Sequence, residues 1–177
     1  MKNSLIFRSF SVIIIMCLLS SCSASVPATH VRAEILSLRD QTIADISEYD
    51  HSFAASIKRQ AGYAVFGLAA NDKLPFPSDM AVGVLRNQQN SENVFLLAQT
   101  PSLNDVSQRL LIVFDSHSNM MAFISQAKTF DDIDDLPEQQ NYQFQPDIIN
   151  AYLVAEDGSY QPIALQPGRY WQNNNLH

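Results

Sequence analysis

YAVFGL, residues 63–68, is apolar throughout and built largely from residues that favour a pleated backbone. It predicts a β-strand, Tyr63–Leu68, and three further strand signals follow: Met80–Arg86, Val94–Thr100 and the strongly apolar Arg109–Asp115. The connections read as a loop over Ala70–Asp79 with Pro75 and Pro77, a polar turn over Asn87–Asn93 and a loop over Pro101–Gln108. Two more strands, Ile148–Glu156 and Ser159–Leu165, flank Asp157-Gly158, a dipeptide that favours a tight hairpin. Pro167-Gly168 then turns the chain into a tail carrying Arg169-Tyr170-Trp171.

Working outward from the strands, the apolar period changes to that of a helix. Val31–Glu48 places Val31, Ile35, Leu38, Thr42, Ile46 and Tyr49 on one stripe, widened by Leu36 and Ile43. Its polar face mixes Arg32 and Arg39 with Glu34, Asp40, Asp45 and Glu48, which suits core packing better than a membrane surface. A second helix is expected from Ser52, as N-cap, to Ala61, with Gly62 as C-terminal cap and Phe53, Ile57 and Ala61 on one face. A third, Ser118–Ala127, carries Met121, Ile124 and Lys128 at helical spacing, with Met120, Phe123 and Ala127 beside them. Thr129–Asp147 reads as irregular and acidic.

The first 22 residues have the form of a bacterial lipoprotein signal. Lys2 and Arg8 precede an apolar run, Phe10–Leu19, interrupted only by Ser11, and the run ends in Leu19-Ser20-Ser21-Cys22. The spacing follows the chemistry. The apolar run holds the Cys22 thiol at the bilayer surface for acylation, and small residues let the chain enter the peptidase that cuts between Ser21 and Cys22. The run is short for a membrane span. An ordinary secretory signal cut after Ala24 is the competing reading. Ser23, where the enterobacterial sorting pattern uses Asp for inner-membrane retention, resembles an outer-membrane address. The expected organisation is a signal over 1–21, a lipidated cysteine and tether over 22–30, and one domain over 31–177.

Removing 21 of the 177 residues leaves 156, enough for one domain with a real core. Of 11 Lys and Arg, Lys2 and Arg8 leave with the signal, so 9 remain beside all 18 acidic residues and the mature charge is −9. That balance argues against nucleic acid and against broad adhesion to anionic headgroups. Cys17 and Cys22 both belong to the signal region, so neither a disulfide nor a thiolate metal site is expected in the domain. With five glycines in the chain, none of the phosphate-cradling glycine motifs is present.

Three patches together resemble the SYLF-domain family in its bacterial lipoprotein form. They are EILSLRDQTIADI (34–46) leading through IKRQAGYAVFG (57–67), AVGVL (81–85), and RLLIVFDSHSNMMAFI (109–124). The ending INAYLVAEDGSYQPIALQPGRYWQNNNL (149–176) is similar too, and the resemblance spans Arg32–Leu176. It implies an α+β fold: a curved antiparallel sheet with N-terminal helices and one inserted helix packed on it. It also implies lipid binding. The chain departs from the family pattern where glycines are usual, at GLAANDKLPFPSDMAVG (67–83) and TPSLNDVSQ (100–108); Gly83 is kept, but Ala81 stands at the earlier glycine.

Asp115-Ser116-His117-Ser118 holds triad residue types, but immediate neighbours rarely align as a triad, and helix capping explains them. The cluster Asp131, Asp132, Asp134 and Asp135 lacks the alternation of a calcium loop. No pair among His30, His51, His117 and His177 has metal-ligand spacing. No catalytic residue, metal or cofactor is therefore expected. The candidate lipid contacts are Lys58 and Arg59, a basic pair at a helix end, and Leu74 and Phe76, apolar residues of the proline loop. The leading expectation is a lipid-anchored envelope protein whose domain binds a lipid or acyl ligand without catalysis. The alternative is a protein-interaction or assembly lipoprotein that has lost the family's lipid site, and a hydrolase using His117 stands third.

Overall fold

The computed structural model describes residues 26–69, 74–138, 140, 141 and 149–176. The expected signal, with Ser21 and the expected acylation site Cys22, lies outside these residues, as do 70–73 of the proline loop and 142–148 of the acidic segment. Two helices come first, α1 (Ala28–Tyr49) and α2 (His51–Ile57). Strands β1 (Gly62–Leu68), β2 (Ala81–Asn87), β3 (Asn93–Gln99) and β4 (Arg109–Phe114) follow. Then come α3 (His117–Gln126), β5 (Lys128–Phe130), β6 (Ile149–Val154), β7 (Tyr160–Ile163) and β8 (Arg169–Asn173). One open eight-stranded sheet results, in the order β5-β8-β3-β2-β1-β4-β6-β7. Every neighbouring pair is antiparallel except β5 and β8. The fold is α+β, with two helices N-terminal to the sheet and one inserted.

The four central strands read as unbroken apolar runs because both faces of the sheet are covered. In β1, Ala64 and Phe66 point into a cluster with Leu85, Leu96, Leu110, Ile112 and Phe114, closed by Met120 and Phe123 of α3. Tyr63 and Val65 point the other way, against Ile43 and Ile46 of α1 and Ala54 and Ile57 of α2. Further along the same face, Val31 and Ile35 of α1 cover Val82, Val84, Phe95, Leu97 and Trp171. Thr42 is fully buried in the α1 stripe, and its hydroxyl donates to the Leu38 carbonyl at 2.6 Å, so the polar group is satisfied.

Several boundaries move. α1 begins at Ala28, three residues before the expected Val31. Asp50, not Ser52, caps α2: its Oδ1 accepts from the Ser52 and Phe53 amides, each at 3.0 Å. An aspartate in extended backbone directly before the helix wins over the serine two positions later. Gly62 is no cap but the first residue of β1; the only positive-φ glycine among the described residues is Gly158. On α3, Met120, Phe123 and Ala127 are buried, while Met121 is exposed and Lys128 has left the helix for β5. Tyr49 is 60% exposed, with its ring edge-on to Tyr160.

The expected tail is a strand. β8 runs between β3 and β5, and Tyr170 and Trp171 are buried on opposite faces. Its Gln172 side-chain amide donates to the Ile124 carbonyl, which also accepts from the Ala127 amide, and to the Ala127 carbonyl just past the end of α3. Thr129 and Phe130, expected to be irregular, form β5 beside it. The β6–β7 hairpin forms as expected, with Gly158 at φ 79°. At the outer edge, the Ala155 amide bonds to the Ser159 carbonyl. Alternation along the ladder then makes Tyr152–Pro162 a non-bonded pair, so the proline costs the sheet no bond and leaves the edge a donor short.

Asp50 also ties the α1–α2 corner to β7, because the Tyr160 hydroxyl donates to its Oδ2 at 2.9 Å. Hydrogen bonds from Phe53, Ser52 and Tyr160 hold its carboxyl down at about 2. The unfolded carboxyl titrates near pH 4, to order of magnitude. A lowered folded value means the contribution is whole above about pH 4 and is lost as pH falls toward 2. Thermal unfolding of wild type and Asp50→Asn should therefore differ near neutral pH and converge in that window. A difference that persists unchanged to pH 2 contradicts the assignment.

Candidate functional site

A cleft of about 440 Å³ lies along α1 in the described surface. One wall is the α1 face carrying Glu34, Ile35, Leu38, Gln41 and Asp45. The floor comes from the ends of two central strands, Gly67 and Leu68 of β1 and Val82 of β2. Leu74, the loop residues Val106–Gln108, Arg109 and Glu156 complete it. The local sequence explains the shape. Where β1 passes α1, Gly67 offers only hydrogen, and Leu38 lies 3.1 Å from the place a β-carbon would occupy. Val106 stands 68% exposed at the mouth.

Arg109 braces this site. It is 8% exposed, and its Nη1 donates to Asp45 Oδ2 at 2.6 Å while Nη2 donates to the Ala155 carbonyl. The guanidinium thus joins α1, β4 and the hairpin turn. Removing the carboxylate strands a nearly buried charge, which is costly when no other anion replaces it. Asp45 is itself partly open to water, so Asp45→Ala should cost about 2 kcal/mol rather than the full buried-pair penalty. Urea unfolding measures this; a loss within a few tenths would mean the pair is a loose surface contact.

The rim is acidic. A second cleft, of about 390 Å³, is lined by Asp45, Glu48, Tyr49, Glu156 and Asp157, and it shares Asp45 and Glu156 with the first. Around the two mouths stand five carboxylates and one guanidinium, already paired. Such a rim disfavours a phosphate and favours an uncharged or cationic group.

The expected contact residues do not converge. Leu74 lines the α1 cleft. Phe76 lines a separate cleft of about 260 Å³ at the start of α1, with Val26, Phe130, Ile133 and Leu176. Lys58 and Arg59 are exposed at the end of α2 and line neither cleft. Ser116 caps α3 by accepting from the Asn119 amide at 3.2 Å, and Asp115 accepts from the Asn119 side chain at 2.7 Å. Those contacts are the capping expected of the Asp115–Ser118 stretch. Asp131 accepts from the Asn174 side chain, and Asp132 from the Asp134 amide. Among the described residues, no group of three or more His, Cys, Asp or Glu is placed to hold a metal ion. Nor is any helix among them long and apolar enough to cross a membrane.

The Asp45–Arg109 brace had no sequence signal, since its partners are 64 positions apart. Glu156 could have been suspected from its place beside the Asp157-Gly158 turn. No protein-family model matches this chain, and no curated protein matches it.

Proposed function

We propose that this chain is a lipid-anchored, non-catalytic binding protein of the bacterial envelope, carrying a SYLF-like domain. Cys22 is its lipidated residue, and the outer membrane, on the periplasmic side, is its place. The observation that supports a ligand is the α1 cleft, where the half-buried Leu38, Leu68 and Leu74 offer apolar surface within a mostly polar lining. Those three side chains can take an acyl chain, and the polar lining orients what enters. Native mass spectrometry of the detergent-extracted protein tests it. Wild type should carry a non-covalent acyl-containing ligand in addition to its covalent acyl chains, and Leu38→Glu should lose that ligand at least tenfold while keeping its circular dichroism. A clean apo mass for wild type sinks the lipid reading.

The second reading, a protein-interaction lipoprotein without a lipid site, draws on the sign of the rim. Glu34, Asp45, Glu48, Glu156 and Asp157 favour a basic segment of a partner over a phospholipid headgroup. Crosslinking in cells from the cleft, with no specific partner captured, counts against it.

A further inference from the structure

α1 has two chemically different ends. Beside its first residue, Ala28, the cleft with Val26, Pro75, Phe76, Ile133 and Leu176 opens to solvent. At its other end stand Asp45, Glu48, Glu156 and Asp157. A helix of 22 residues is about 33 Å long, so these are opposite poles of the molecule. Cys22 precedes Ala28 by six residues, and six extended residues reach at most about 21 Å.

We infer that the pole at the start of α1 rests against the bilayer, through Val26, Pro75 and Phe76, and that the acidic pole faces away from it. This rests on the anchor proposed above. A lipid on Cys22 keeps the first pole within the tether's reach of the headgroups, and the length of α1 carries the second pole beyond it. The surface chemistry agrees with the tether. Pro75 and Pro77 are exposed, and Val26 and Phe76 are half-buried, so apolar surface stands where the tether enters. The far pole offers four carboxylates and no basic residue among those lining its cleft, and lying against headgroups would strip water from them without a paired cation. Asp131 and Asp132 sit on the rim of the near cleft, Asp131 bonded to Asn174. Their charge makes a zwitterionic bilayer the fitting partner. In this orientation the cleft lined by Asp45, Glu48, Glu156 and Asp157 opens to the periplasm.

The test uses the full chain, extracted from a Gram-negative host and reconstituted into phosphatidylethanolamine–phosphatidylcholine vesicles. A fluorescent non-canonical amino acid replaces Ser78, next to Pro77, in one variant and Glu48, at the far end of α1, in another. Both positions are exposed. A lipid with a nitroxide on its headgroup should quench position 78 at least fivefold more than position 48. Equal quenching, or stronger quenching at 48, overturns the orientation. Intact mass of the same samples reads the anchor separately. A chain that keeps Cys22 without acyl mass fails the anchor reading alone; coupling its thiol to a maleimide phospholipid restores the tether and still reads orientation. A chain cut after Cys22 overturns both.

Discussion

Replacing Gly158 with alanine is expected to destabilise the protein by about 3 kcal/mol and to detach the β6–β7 hairpin from α1. Two costs add. Gly158 has φ 79°, a region that charges an L-residue about 1–2 kcal/mol. An added β-carbon would also stand 2.0 Å from the Asp45 carbonyl oxygen and 2.3 Å from its carbon. Both obstacles are backbone, so no rotamer change relieves them, and overpacking of this kind costs about 1–3 kcal/mol. The turn must lift off the helix, and the Arg109 contacts to Asp45 and Ala155 loosen with it. Urea unfolding reads the loss. A variant as stable as wild type would mean that the hairpin does not press on α1, and the described cleft would lose one wall.

Phe66→Ala is the second large effect, at about 3–5 kcal/mol. Phe66 is fully buried in the middle of β1, and its ring lies edge-on to Tyr170 with centroids 5.8 Å apart. A β-carbon on Gly83 of β2 would stand 2.4 Å from the ring, so the two positions are packed as a pair. The same β-carbon would stand 2.4 Å from the Val65 carbonyl oxygen. Removing the ring should therefore relieve Gly83→Ala only in part. A double-mutant cycle measures that coupling, and strict additivity would show that the ring and Gly83 do not share space.

These positions also show what was legible in the chain. β1 to β4 were readable because both sheet faces are buried, which made each strand a short apolar block. The hairpin was readable because Asp157-Gly158 has one favoured geometry. β8 was not: Arg169-Tyr170-Trp171-Gln172-Asn173 alternates weakly, and its partners β3 and β5 lie far away in sequence. β5 has three residues, too few for any period. On α3 two adjacent stripes were both apolar, and only packing against Phe114 and Tyr170 selects the one with Phe123. The candidate site was the least legible part. Leu74 was singled out from its loop alone, yet its neighbours Ile35, Leu38 and Val82 meet it only because α1 crosses the sheet. The acidic rim draws on α1 and the hairpin, segments over a hundred residues apart, and overall charge does not reveal that concentration.

Intact mass of the detergent-extracted chain decides whether Cys22 carries the proposed anchor. A polypeptide beginning at Cys22 with the added mass of acyl chains is expected, with loss of that mass and of membrane fractionation in Cys22→Ser. A chain beginning at Ser25, without acyl mass and released into the soluble fraction, would overturn the anchor.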